Sequence, residues 1–198
     1  MDGRYGRRTY HRCPRCHLIF LDPTQYLDPI EERKRYDTHV NEPEDAGYLS
    51  FLRRLADPVI ERLDSSAEGL DYGSGPGPAM HTIFADHGHE IAHWDPFYDP
   101  NSRALERQYD FIVCSETVEH FHHPDADFLR MSRLLYDTNA LLGVMTEILL
   151  SESEFADWWY HRDPTHVCFY QRTTFEWIAS WLGFSVEFPV KNVVIFTR

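Results

Sequence analysis

The chain has 198 residues, a hydrophobic share of 42% and a formal charge of −13, which suits one domain with a sizeable core. That charge repels phosphate backbones and anionic lipid, so neither nucleic acid nor a membrane is expected as the main partner; no apolar run approaches the roughly 18 residues of a span. Four cysteines, only two closely spaced, do not make a disulfide framework, and the basic start (Arg4, Arg7, Arg8) has no apolar core following at once, so a cytoplasmic protein is expected.

In chain order, residues 1–23 read as a short appendage carrying Cys13-Pro14-Arg15-Cys16 and the apolar Leu18-Ile19-Phe20. Residues 24–198 form the main domain, opening with polar, aromatic and acidic loop and short helix over 24–50. From 48 to 63 the apolar positions fall on one helical face. A strand is expected over 68–72, a Gly-rich turn over 73–77, a helix over 78–87 and a strand over 91–94 ending at Asp95. Residues 111–114 are continuously apolar, as in a strand covered on both faces. A helix over 125–136, a strand over 140–145 and a helix over 173–182 stopped by Gly183 follow. Strands over 184–188 and 193–197 are close enough to pair antiparallel. This is an α/β pattern: a mostly parallel sheet flanked by helices, with an antiparallel C-terminal hairpin.

Strand, Gly-rich turn and helix open a nucleotide-binding unit, because glycine lets main chain approach a ligand that side chains would exclude. Here the spacing is Gly73-x-Gly75-x-Gly77, which departs from the dinucleotide fingerprint and favours a loop shaped around S-adenosylmethionine (SAM). Taken together, Leu70-Asp71-Tyr72-Gly73-Ser74-Gly75-Pro76-Gly77, Asp95, and Tyr109-Asp110-Phe111-Ile112-Val113-Cys114-Ser115-Glu116-Thr117-Val118-Glu119-His120-Phe121 resemble class I SAM-dependent methyltransferases over residues 48–198. The resemblance implies a Rossmann-like fold and a SAM cleft at the carboxyl ends of the strands. Gly73, Ser74, Gly75 and Gly77 would meet the methionine part of the cofactor and Asp71 would reach toward its amino group. Asp95, followed by Pro96, would accept the ribose hydroxyls, and Cys114, Ser115 and Glu116 would line the cleft. His120 resembles the histidine after the fourth strand of many small-molecule methyltransferases. Blander roles stand beside these: a loop-stabilising carboxylate at Asp71, a turn residue at Asp95, helix-entry packing at His120. Only about a dozen residues separate Asp95 from the next strand, so the family's third strand is reduced or missing, and Trp94, Pro96, Phe97 and Tyr98 offer another wall for adenine.

The stretch 155–170, with Trp158, Trp159, Tyr160, His161, Asp163, Thr165, His166 and Phe169, resembles a segment of a bacterial subgroup named for benzoquinol methylases. It follows the fifth strand and suits a lid that excludes water. His166 is the first candidate proton acceptor, with His161 and His120 behind it. Core packing by the aromatics with His166 as a strand cap is the alternative, and His161, Asp163 and His166 could also hold a metal. The same subgroup often carries an N-terminal zinc ribbon, and residues 10–20 resemble its second knuckle. Zinc needs four ligands; Cys13 and Cys16 are one pair, with His11 and His17 nearby, so a vestigial knuckle is expected. Tyr36, His39 and the run 41–48 also resemble the subgroup; they would fold over the cofactor, with a solvated loop as the alternative. The expected reaction is methyl transfer from SAM to an oxygen, nitrogen or carbon of a small molecule. A nicotinamide-dependent oxidoreductase and a non-catalytic SAM- or zinc-dependent interaction module are the rival readings.

Overall fold

The computed structural model describes residues 7–38, 45–64, 66–77 and 79–198, and the main chain alone of 3–5. His39 and residues 41–44 lie outside the described residues. The chain begins with strands β1 (Gly3–Tyr5), β2 (Arg8–Arg12) and β3 (Ile19–Leu21), then helices α1 (Pro29–Tyr36) and α2 (Ala46–Ile60). Strand β4 (Glu68–Tyr72), helix α3 (Ala79–Ala85), strands β5 (Glu90–Trp94) and β6 (Phe111–Ser115), helix α4 (Pro124–Leu134) and strand β7 (Leu141–Met145) come next. Strand β8 (Cys168–Phe169), helix α5 (Arg172–Leu182) and strands β9 (Ser185–Glu187) and β10 (Val193–Thr197) complete it.

The main sheet has the order β5-β4-β6-β7-β10-β9. Pairs β4/β5, β4/β6 and β6/β7 are parallel, with Tyr72 opposite Trp94 and Cys114 opposite Val144, while β10 runs antiparallel to both β7 and β9. The Rossmann-like sheet with its terminal hairpin is therefore as the sequence implies. Among the described residues the sheet ends at β5, and a bridge between Asp95 and Asp99 and one 3-10 turn, Ser102–Leu105, occupy the short link to β6.

Alternation along the strands sorts the core into two layers. Ile112, Cys114, Leu142, Val144 and Phe196 face α4 and α5, meeting Phe128, Met131, Phe175 and Ile178. Phe111, Val113, Leu141, Met145 and Ile195 face α2 and α3, meeting Leu52, Leu55, Val59, Ile83 and Phe84. Gly143 sets the depth of α2, since a Cβ there would stand 2.7 Å from Val59 Cγ2. Helix α5 stops at Gly183, which takes the left-handed conformation at φ 76°.

The N-terminal strands form a second sheet, β1-β2-β3-β8, in which Ile19 pairs with Phe169. Tyr10, Leu18, Ile19 and Leu21 belong to the same apolar cluster as Leu70 and Val144. The segment read as an appendage is thus packed onto the 155–170 stretch, with the Tyr10 ring edge-on to both Phe155 and Phe169.

Candidate functional site

A cleft of about 690 Å³ opens at the carboxyl ends of β4, β5 and β6, where open α/β sheets place their ligands. Its floor is the Gly-rich turn. Gly73 has φ +82°, and a Cβ there would fall 2.2 Å from Thr117 Cγ2, so only glycine fits between β4 and the end of β6. The Gly73 N–H donates to the Trp94 carbonyl at 2.8 Å, and the Thr117 hydroxyl donates to the Gly73 carbonyl at 3.2 Å.

Asp95 locks this turn to its neighbour. Its Oδ2 accepts the Gly75 N–H at 2.9 Å, and its Oδ1 accepts the N–H groups of Phe97 and Tyr98 at 2.8 and 3.0 Å. A carboxylate has about four lone-pair sites, so about one remains for a ligand. Asp71 differs. It is buried, lines the cleft, and its carboxyl accepts no hydrogen bond from any described residue. Burial, with Asp95 nearby, pushes its pKa up to about 7.

The deep end of the cleft holds a second group of carboxyls. Glu116 leaves β6 with φ +47°, and burial, followed by Glu119 and Glu147, pushes its carboxyl up to about 9. Glu119 is 0% exposed; its Oε2 accepts from the Thr146 hydroxyl at 2.9 Å and its Oε1 from the Tyr160 hydroxyl at 2.5 Å. Tyr160 also lies 3.4 Å from Glu116 Oε2. Burial raises the Glu119 pKa too. Beside them the His120 and His166 rings stand 4.9 Å apart, edge to face. Burial lowers the His166 pKa, which keeps that ring neutral near pH 7.

Helix α1 straps the cleft. The Tyr36 ring lies 5.1 Å from His120 and 5.4 Å from Phe97, and its hydroxyl donates to Glu32 at 2.5 Å. On one side Arg33 donates to the Phe97 carbonyl at 3.1 Å and Tyr98 donates to Asp37 at 2.7 Å. On the other, Arg35 donates to Asp163 at 2.6 and 3.0 Å. The described lining includes Glu32, Asp71, Asp95, Glu116, Glu119 and Asp127, and no Lys or Arg.

Of the residues singled out from sequence, the cleft brings together Asp71, Gly73, Ser74, Gly75, Gly77, Asp95, Pro96, Ser115, Glu116, His120 and His166. Cys114 is not among the lining residues. Its side chain takes the opposite face of β6 from the α2–α3 layer and is wholly buried in the core with Tyr72 and Val144. His161 is not among them either; its ring packs 5.1 Å from Phe155 and 5.9 Å from Tyr10. The trio His161, Asp163 and His166 does not assemble, because Asp163 turns to Arg35. Among the described residues, the group able to share a cation is Glu119, His120 and His166, whose ligand atoms lie within 4.8 Å of one another. Cys13 and Cys16 are free thiols in the turn between β2 and β3, His11 pairs with Asp22 at 3.0 Å, and His17 contacts Arg12.

Sequence reasoning missed Glu119, Tyr160 and Glu32. A partial signal for the first existed: Glu119 follows Glu116 by three residues and falls in the 3-10 turn, Val118–His120, that comes directly after β6.

A family model described as a methyltransferase domain matches residues 40–187. No curated protein matches the sequence significantly. Among solved structures, a candidate methyltransferase from Bacillus halodurans gives a TM-score of 0.53 at 17% identity, over 70% of this chain and 71% of that one. CalO1, a methyltransferase of calicheamicin biosynthesis in its SAH-bound form, gives 0.53 at 12% identity, over 77% of this chain and 55% of its own. A candidate sarcosine dimethylglycine methyltransferase from Galdieria sulphuraria gives 0.54 at 18% identity, over 81% and 68%. This chain therefore spans about half the length of CalO1, and at these identities the likeness is one of fold.

Proposed function

We propose, from the premise that this chain belongs to the methyltransferase-domain family and is a SAM-dependent methyltransferase, that its cleft carries methyl groups to a small-molecule acceptor of the kind used by the benzoquinol-methylase-like subgroup. The observation that carries the reading is Asp71. A buried carboxylate without a hydrogen-bond donor among the described residues is costly, and here it faces a cleft beside the Gly73–Gly77 turn. The ammonium of the cofactor's methionine part answers that charge. The Gly73–Gly77 turn lies beside its carboxylate end, with the Gly73 and Gly75 N–H groups already given to the Trp94 carbonyl and Asp95, and Asp95 offers its remaining lone-pair site to one ribose hydroxyl while holding the turn in shape. Trp94, Phe97 and Tyr98 wall the side where a third strand would have held adenine.

Bound SAM supplies a methyl already activated by its sulfonium. The chain's own work is to align the acceptor, exclude water and lower the acceptor's proton cost. His120 and His166 stand at the deep end for that last task, under the cover of α1 and the 155–170 stretch. His161 is assigned to packing against Tyr10 and Phe155, and Cys114 to the core. Zinc at Cys13 and Cys16 has no further ligand group among the described residues, and a vestigial knuckle remains our reading.

Calorimetric titration with SAM and with its demethylated product tests the cleft. Binding of both is expected, and no response to either, with binding of a nicotinamide dinucleotide instead, would overturn the reading. His166→Ala should leave SAM affinity nearly unchanged and cut turnover by about 10²–10⁴, the range for losing an acid–base group.

A further inference from the structure

Two imidazoles and a carboxyl converge at the buried end of the cleft in a way that packing alone does not require. Glu119, His120 and His166 each bring one ligand atom within 4.8 Å of the other two, and His120 Nε2 is 4.0 Å from Glu119 Oε1. What stands behind the rings fixes their tautomers. His166 Nδ1 lies 2.8 Å from the Tyr160 carbonyl, and His120 Nδ1 lies 3.0 Å from the Thr165 carbonyl. A carbonyl only accepts, so both Nδ1 atoms carry the proton, and in each neutral ring Nε2 presents the lone pair. A carbonyl behind the other ring nitrogen is how metal sites orient their histidines. Glu119 is held in the same manner, by the Thr146 and Tyr160 hydroxyls at 2.9 and 2.5 Å.

The lining is compatible with a cation at this point. Among the described residues six carboxyls line the cleft and no Lys or Arg does, and Glu116 stands beside the cluster, 3.4 Å from the Tyr160 hydroxyl. We propose that Glu119, His120 and His166 bind one divalent transition-metal ion at the deep end of the cleft, with Glu116 alongside and a coordination position open toward the acceptor. Two imidazole nitrogens and one carboxylate select manganese, iron, cobalt or zinc over magnesium or calcium, which prefer all-oxygen shells. With metal–ligand bonds of about 2.0–2.2 Å, tetrahedral or facial ligands stand about 3.0–3.4 Å apart, so the cluster, whose atoms lie within 4.8 Å of one another, closes on an ion by drawing its side chains together by about an ångström.

The role of such an ion rests on the methyltransferase reading, although its binding does not. An acceptor hydroxyl at the open position would give its proton to water, form the oxygen–carbon bond with its lone pair, and return the carbon–sulfur bonding pair to sulfur, leaving a neutral thioether. The two histidines would then act through the ion and not as bases.

Chelator-treated full-length protein, titrated with Zn²⁺ by calorimetry and with Co²⁺ by absorption, tests the site. One ion per chain is expected, with cobalt bands of a nitrogen–oxygen shell and no thiolate charge-transfer band. Glu119→Gln and His166→Asn should raise the Kd at least ~10-fold, with folding checked by circular dichroism, while Cys13→Ser leaves it unchanged. No uptake at millimolar metal, an unchanged Kd in both cleft variants, or loss of binding in Cys13→Ser would overturn the proposal. Should a variant not fold, the wild-type cobalt spectrum decides, since a thiolate band places the ion at Cys13 and Cys16. SAM is titrated separately without metal. Metal uptake without SAM binding would remove the methyltransferase reading and keep the ion, and SAM binding without uptake would do the reverse.

Discussion

Replacing Asp71 by Asn separates the stability of the protein from its capacity to bind. Asp71 is 6% exposed and finds no hydrogen-bond donor among the described residues, and burial with Asp95 nearby raises its pKa from 3.8 to about 7. A raised acid means that the folded state holds a proton the unfolded chain has lost. Below pH 3.8 both states are protonated and the group is neutral in the balance. As pH rises through 3.8 toward 7 the folded state loses ground, and above 7 the loss is complete. At about 1.36 kcal/mol per pH unit the ionised carboxylate costs roughly 4 kcal/mol at pH 8. Asn keeps the shape without the charge but buries an amide with no described partner, which offsets ~1–3 kcal/mol. The variant should therefore be more stable than wild type at pH 8 by about 1–3 kcal/mol, a melting temperature higher by roughly 2–10 °C for a chain of this size, and equal or less stable at pH 4. Its SAM affinity should fall at least ~10-fold, as a charge-assisted hydrogen bond worth roughly 1.5–3 kcal/mol is lost. Thermal melts across pH, with and without SAM, read both quantities. A variant less stable than wild type at pH 8, or one that binds SAM equally well, would refute the assignment of Asp71 as a carboxylate held ready for a cationic ligand.

Gly73→Ala meets two penalties, a positive φ and a Cβ 2.2 Å from Thr117 Cγ2; a loss of ~2–4 kcal/mol in denaturant melts is expected, and Thr117→Ser should recover only part of the steric share, since Oγ1 and Cβ would still stand 2.6 and 2.9 Å away. Asp95→Ala strips the acceptor from the N–H groups of Gly75, Phe97 and Tyr98, so SAM affinity should fall by about 1–3 kcal/mol together with stability, whereas a pure ribose contact would leave the apo melt unchanged. Burial works against ionising Asp163, yet the Arg35 and Thr165 hydrogen bonds hold its pKa below the usual carboxylate range. That stabilisation is present above about pH 4 and fades as the solution is acidified. Arg35→Ala should cost ~1 kcal/mol at pH 7, because the arginine is partly in water, and the difference from wild type should shrink below pH 4 in acid melts.

The parallel sheet was legible because its strands carry their own signature. Phe111 to Cys114 are all 0% exposed, and burial on both faces produces the unbroken apolar run seen in the sequence. Gly183 marks the end of α5 for a local reason, a backbone conformation that costs glycine little. The docking of β3 on β8 had no such local mark. Ile19 meets Phe169 across the length of the chain, and an apolar triplet beside a cysteine pair reads equally well as a detached knuckle. The same docking explains why His161 and His166, five residues apart in one aromatic run, part company. The Tyr10 ring takes His161 as a neighbour on one side of the Trp159–Arg162 turn, and the Tyr160 carbonyl holds His166 on the other.

Glu119 was hidden for a different reason. A glutamate just after a strand reads as a solvated residue, because a lone Glu is almost never buried without partners. Its partners here are Thr146 and Tyr160, 27 and 41 residues further on, and neither is recognisable as such in the sequence. The burial of Glu119 depends on the 155–170 stretch closing over the end of β6, and that closure is supported from behind by the N-terminal strands through Tyr10 and Ile19. The acid–imidazole end of the cleft therefore takes Glu119 and His120 from the motif after β6 and is completed by the 155–170 stretch and the N-terminal strands behind it. Substituting Tyr10 by Ala should on this account disturb turnover more than SAM affinity, since the Gly73–Gly77 turn and Asp95 are fixed by β4, β5 and Thr117. Steady-state kinetics beside a SAM titration would show it, and an equal loss in both would mean that the two ends of the cleft are not separately built.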